Sequence, residues 1–137
     1  MPAIRLSVFG AALVVVAAAV GSAAAHHSFA AEYDSNRPFT VTGSVTRLEW
    51  TNPHARLYVD AKDESGTLQH WDFELGPPTS LMRRGWSRKS LQPGHIVTVE
   101  GFHSKTEAFV ANARKVTLPD GREVFAGSSF DPGPPPQ

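Results

Sequence analysis

Residues 41–60 read VTGSVTRLEWTNPHARLYVD, and their alternation decides the fold. Val41, Gly43 and Val45 share one parity while Leu48 and Trp50 share the other, so the buried face switches near Thr46–Arg47. A β-bulge produces such a switch, and it lets one strand curl from one side of a small closed sheet to the other. Asn52–Pro53 ends the strand, because proline has no N–H for the ladder and Asx-Pro favours a turn. The strand that follows is regular: Ala55, Leu57 and Val59 on one face, His54, Arg56, Tyr58 and Asp60 on the other.

Downstream, Lys62–Gly66 is a charged hairpin connection, and Leu68–Leu75 alternates Trp71, Phe73 and Leu75 with His70, Asp72 and Glu74. Gly76–Thr79 breaks that strand and starts a helix, with Thr79 or Ser80 as the expected N-cap and Gly85 near its end. His95–Phe102 and Asn112–Leu118 read as strands four and five, and Glu123–Phe125 as a short sixth after the Pro119–Arg122 turn. Three strands, a short helix, then two strands and a hairpin is the order of an OB-like five-stranded Greek-key barrel, all-β apart from its plug helix. An up-and-down meander or a split sandwich would share the composition.

Upstream, Arg5, the apolar run Val8–Val20 and the small residues Gly21–Ala25 form a secretory signal peptide with an A-x-A type cleavage site. The run is short for a membrane span of ~20 residues, though an uncleaved anchor is the plainer alternative. Absence of cysteine at that point excludes a lipoprotein anchor. The expected organisation is a signal peptide at 1–25, a polar arm at 26–37, a barrel domain at 38–127 with Pro38 opening it, and a disordered Pro/Gly tail at 128–137. The expected location is the periplasm, or the medium.

Setting Arg5 aside leaves 12 basic and 13 acidic residues, a formal charge of −1. That balance argues against a nucleic-acid partner, which calls for a basic excess. The basic stretch Arg83–Lys89 around Trp86 reads instead as cations at a helix C-terminus beside a core plug. No cysteine exists in the chain, so neither disulfides nor thiolate metal ligands are available.

Six histidines carry the remaining signal. Cleavage after Ala25 makes His26 the N-terminal residue, whose amine and imidazole chelate one ion, with a further imidazole completing a T-shaped brace suited to Cu(II). Cleavage after Ala24 leaves Ala25-His26-His27, whose amine, two amides and His27 ring form a square-planar Cu(II) or Ni(II) site. The bland alternative is a flexible terminus that happens to hold two histidines. His54 and His103 stand on the connections that flank the binding face of an OB barrel, so both are candidate further ligands. His70 and His95 read as surface or capping residues. No H-E-x-x-H or C-x-x-C pattern supports a closed zinc site.

Asp60, Asp72 and Glu74 are the carboxylates that could pair, but one charged strand face is ordinarily there for solubility, and no G-x-S-x-G is present. Catalysis is not expected, and neither is a resident cofactor. A second candidate is a ligand face of Tyr58, His70 and Asp72 taking an oligosaccharide, a peptide or a periplasmic protein.

HHSFAAEYD, WDFELGPPTSLMRRGW, LQPGHIVTVEGF and ANARKVTLPDGREVFAG, taken with the opening stretch, resemble a family of small exported bacterial proteins of unknown function. TNPHA, FELG, RRGW and the LPDGR…FAG ending carry the resemblance across most of the mature chain. It implies export and a single domain, and brings no activity or site residue.

Overall fold

A computed structural model describes residues 29–127. Residues 29–32 are helical. Six strands follow: β1 (Tyr33–Glu49), β2 (Arg56–Lys62), β3 (Leu68–Glu74), β4 (Ile96–Ser104), β5 (Val110–Thr117) and β6 (Glu123–Phe125). One short helix, α1 (Pro78–Arg83), lies between β3 and β4. The sheet order is β3-β2-β1-β4-β5-β6, and a parallel β3–β5 pairing joins its ends into a barrel-like ring, with β6 attached to β5. This is the OB-like arrangement.

β1 pairs with both β2 and β4 because it bends, and its register with β2 shifts between Val45 and Arg47, where the alternation changes face. The strand begins earlier than Pro38: Tyr33 already pairs with Ser104, and the register shifts before Pro38 pairs with Phe102. A proline is tolerated at such an irregularity, where its missing N–H breaks no regular ladder bond. The compact unit that holds the barrel accordingly runs from Glu32.

Inward residues of the strands and α1 make one core, in which Phe73, Leu57, Leu75, Leu81, Val45, Val59, Val97, Val99 and Val116 are fully buried. Burying each such side chain is worth about 1.5–3 kcal/mol. Gly101 lets β5 approach: a Cβ there would sit 1.8 Å from the Asn112 carbonyl oxygen.

The N-cap of α1 is Pro77 rather than Thr79 or Ser80, with Pro78 at the start of the helix and no side-chain cap. Proline at the first helical position presets helical φ, and its missing N–H is one that no intrahelical bond would have used. The other end explains RRGW. Gly85, at φ 90°, donates its N–H to Met82 O, and Trp86 donates to Leu81 O. That is a Schellman cap, with buried Trp86 packed over the helix end it closes. The Trp86 indole N–H donates to Phe125 O at 3.0 Å, tying the plug to β6.

Candidate functional site

The β2–β3 register places Arg56, Tyr58 and Asp60 directly opposite Glu74, Asp72 and His70. Their neighbours in sequence, Leu57, Val59, Phe73 and Trp71, are buried, so the polar set forms the outer face of the ladder. Arg47 and Glu49 of β1 extend that face through their pairing with Tyr58 and Arg56. Tyr58, His70 and Asp72 therefore share one surface, with Tyr58 opposite Asp72.

Each group on this face is matched. Arg56 Nε donates to Asp72 at 2.8 Å, and His70 Nδ1 lies 2.6 Å from Asp60 with its ring largely exposed. The Tyr58 hydroxyl donates to Glu49 at 3.1 Å while Arg47 lies over the Tyr58 ring at 4.2 Å and pairs with Glu49. Asp60 thus pairs with His70, while Arg56 lies between Asp72 and Glu74.

The most enclosed carboxylate of this face is Glu74, whose side chain is 14% exposed. The Asn52–Pro53 peptide is cis, and the chain after it delivers His54 ahead of β2, where its Nδ1 lies 2.8 Å from Glu74 Oε1. The buried Tyr33 at the start of β1 donates its hydroxyl to Glu74 Oε2 at 2.9 Å, and Arg56 approaches the same oxygen at 3.8 Å. Burial works against the Glu74 charge, but the hydrogen bonds from His54 and Tyr33 outweigh it and hold the carboxyl below its ordinary pKa. The bond to Glu74 raises the pKa of His54 against the opposing effect of burial. Burial and the Glu74 charge push the Tyr33 hydroxyl far up, so it stays a donor. The charge of Glu32 also reaches His54 and Tyr33.

An ionised carboxylate only accepts hydrogen bonds, so His54 Nδ1 carries the proton that faces Glu74. Nε2 makes no hydrogen bond among the described residues, and the His54 side chain is 37% exposed. Beside Glu74 on β5 stands Asn112, its partner in the β3–β5 ladder, 1% exposed and with neither amide atom hydrogen-bonded.

The other histidines fall elsewhere. His103 packs against Phe39 at 5.3 Å and Trp71 at 5.8 Å. Burial, then the charge of Arg37, pushes its pKa down. Trp71 and Glu74 project from opposite faces of β3, so His103 and His54 are separated by the sheet and do not converge. His95 Nδ1 accepts from the Gln92 N–H at 3.1 Å, as a capping histidine does. His26 and His27 lie outside the described residues. Among the described residues no three of His, Cys, Asp and Glu form a group that could hold a metal ion. No described helix is long and apolar enough to cross a membrane.

A groove of about 690 Å³ opens on another part of the surface, between Pro38–Thr40, Phe102, Lys115 and Phe125. None of the candidate histidines among the described residues lines it. Lys115 bridges Glu100 and Glu123 there at 2.7 and 3.0 Å.

Sequence reasoning missed Tyr33 and Arg56, and treated Glu74 as a solubility charge. Its available signal was the pairing of His54-x-Arg56 with Asp72-x-Glu74, opposite charges on matching parities of adjacent strands. For Tyr33, 41 residues from Glu74 in the chain, there was none.

Ring closure through β3–β5, the plug helix and the polar β2–β3 face define a small OB-like β domain. The chain belongs to the family of unknown function DUF6152, whose model matches residues 12–111 and so spans Tyr33, His54, Arg56, Asp72 and Glu74. No curated protein matches the chain.

Proposed function

We propose that this is an exported small binding protein whose ligand is a divalent transition metal ion, copper first. His54 supplies one donor from the barrel, and His26, His27 and the free amine created by signal-peptide cleavage supply the others. The observation that carries the reading is the His54 ring, held on one nitrogen by an enclosed carboxylate and left open on the other. Metal-bound histidines almost always give their second nitrogen to a carboxylate, a backbone carbonyl or a water, and a carboxylate is the partner here. Imidazole and amine donors without thiolate suit Cu(II), and the chain contains no cysteine.

The test is a Cu(II) titration with EPR on natively exported protein whose N-terminus has been mapped by intact mass. The reading expects one-to-one binding with several nitrogen ligands, lost in His27→Ala and weakened in His54→Ala. Affinity no better than that of an unrelated His-His peptide would sink it.

A second reading has its own support, the contiguous outer face of Tyr58, His70 and Asp72 on the strands where OB barrels take ligands. Under it the face takes an oligosaccharide, a peptide or a partner protein. A blocked or tagged N-terminus leaves such binding intact, whereas it abolishes the copper site.

A further inference from the structure

We infer that Glu74 is the positioning residue of the His54 site: it fixes the ring with Nδ1 protonated and Nε2 as the open donor, and Tyr33 locks Glu74 in turn. The purpose assigned to this arrangement rests on the metal reading, but its geometry does not.

The two Glu74 oxygens are held separately, Oε1 by His54 at 2.8 Å and Oε2 by Tyr33 at 2.9 Å. A carboxylate gripped at both oxygens cannot rotate without breaking a bond, and its 14% exposure leaves little water to replace one. Glu74 and Tyr33 stand on separate strands, which makes a stiffer frame than a loop provides. The His54 ring is therefore aimed, not merely tethered.

His70 is the internal contrast. Its Nδ1 also meets a carboxylate, Asp60 at 2.6 Å, yet the ring is 75% exposed and Asp60 takes no second side-chain donor among the described residues. Both histidines have a carboxylate, but only one carboxylate is itself fixed. A negative charge behind the ring raises the basicity of the far nitrogen, which favours a divalent cation over a neutral ligand there.

The experiment pairs two measurements on wild type, Glu74→Gln, Tyr33→Phe and, as control, Asp60→Asn. Long-range ¹⁵N–¹H NMR of the metal-free protein, at a pH where the rings are neutral, reads the His54 tautomer. Competition titration with Cu(II) alone reads affinity. Wild type should show His54 with Nδ1 protonated, and Glu74→Gln a mixture of both tautomers with the same thermal melt cooperativity. Glutamine keeps an oxygen facing the ring but can also turn its NH₂ toward it. Copper affinity should fall about 10–100-fold in Glu74→Gln with stoichiometry unchanged. Tyr33→Phe should lose less in the same direction, and Asp60→Asn less than about twofold.

A wild-type His54 protonated at Nε2 overturns the inference whatever copper does. Copper binding that requires His54 yet is unchanged in Glu74→Gln also overturns it, while leaving the metal reading in place. Copper binding that ignores His54 ends the metal reading, and the tautomer in wild type and Glu74→Gln then decides the positioning role alone.

Discussion

Tyr33→Phe is the sharpest probe of how the site is held, because it removes one oxygen atom and leaves the packing ring. Tyr33 is 4% exposed, and its hydroxyl gives Glu74 one of two close hydrogen bonds. A hydrogen bond to a charged group contributes about 1.5–3 kcal/mol, and since His54 and Arg56 remain beside Glu74 the loss should fall near 2 kcal/mol. With a urea m-value of about 1.5 kcal/mol/M, that lowers the unfolding midpoint by roughly 1.3 M. Tyr58→Phe makes the same chemical change on the same face, where the acceptor Glu49 is 36% exposed. Water replaces that bond, so the cost there should stay below about 0.5 kcal/mol. Hydrogen exchange adds a local readout: the Lys105 N–H, bonded to Glu32 O at 2.9 Å, should exchange faster in Tyr33→Phe as the start of β1 loosens. A midpoint shift no greater than that of Tyr58→Phe, with unchanged Lys105 protection, would refute the claim that Tyr33 anchors Glu74.

The His54–Glu74 pair also sets a pH window for stability. His54 has its pKa raised from 6.5 on folding, so its contribution is complete below pH 6.5 and is lost as pH rises through the folded value. Glu74 has its pKa lowered from 4.5, so its contribution is present above pH 4.5 and is lost as pH falls through the folded value. Urea midpoints should therefore favour pH 5.5 over pH 8 and over pH 3, and Glu74→Gln should flatten both slopes; an unchanged profile in that variant counts against the pair. Gly101→Ala forces a Cβ to within 1.8 Å of Asn112 O and 3.1 Å of Arg114 N, both backbone atoms that cannot swing aside. It should cost about 3 kcal/mol, the upper range for overpacking. Gly66→Ala, at φ 83° with open space around it, should cost only about 1 kcal/mol by strain. Equal urea midpoints for the two variants would contradict this account.

The fold was legible where the physics is local. The change of parity between Val45 and Arg47 marked the bulge, and the alternation of β2 and β3 separated core from surface correctly. Boundaries decided by distant partners were not legible: β1 extends back to Tyr33 only because Ser104 lies alongside, and no window around Pro38 contains that information. The helix start was misjudged because a side-chain cap was expected at Thr79 or Ser80, whereas the helix opens earlier, on Pro77–Pro78, whose preset φ suits the first helical position. The site was legible in part. His54 was chosen for its place on a connection, but what holds its ring is a carboxylate that alternation alone classifies as surface. Whether a charge on an outward parity is solvated or enclosed depends on what covers it, and here Tyr33 covers it from 41 residues away.

The separation of His54 from His103 follows from the same alternation and bears on any ligand this protein takes. β3 sends Trp71 and Phe73 into an aromatic stack with Phe39, at ring separations of 5.5–5.7 Å, and sends Asp72 and Glu74 outward to Arg56 and His54. Shifting β3 by one residue would put Glu74 in the core and the rings in water, so the packing that stabilises the barrel also fixes which nitrogen-bearing groups meet. His103, caught against the rings and kept neutral by burial, is committed to that packing. His54 sits on the opposite side, outside the core, held by a carboxylate that the core-facing residues on either side of it keep in place. If the protein binds copper as proposed, a His103→Phe exchange should consequently leave Cu(II) affinity within about twofold of wild type, whereas His54→Phe should lower it about 10-fold or more. Equal losses in the two variants would mean that the two rings reach one ion after all, and that the sheet does not divide them.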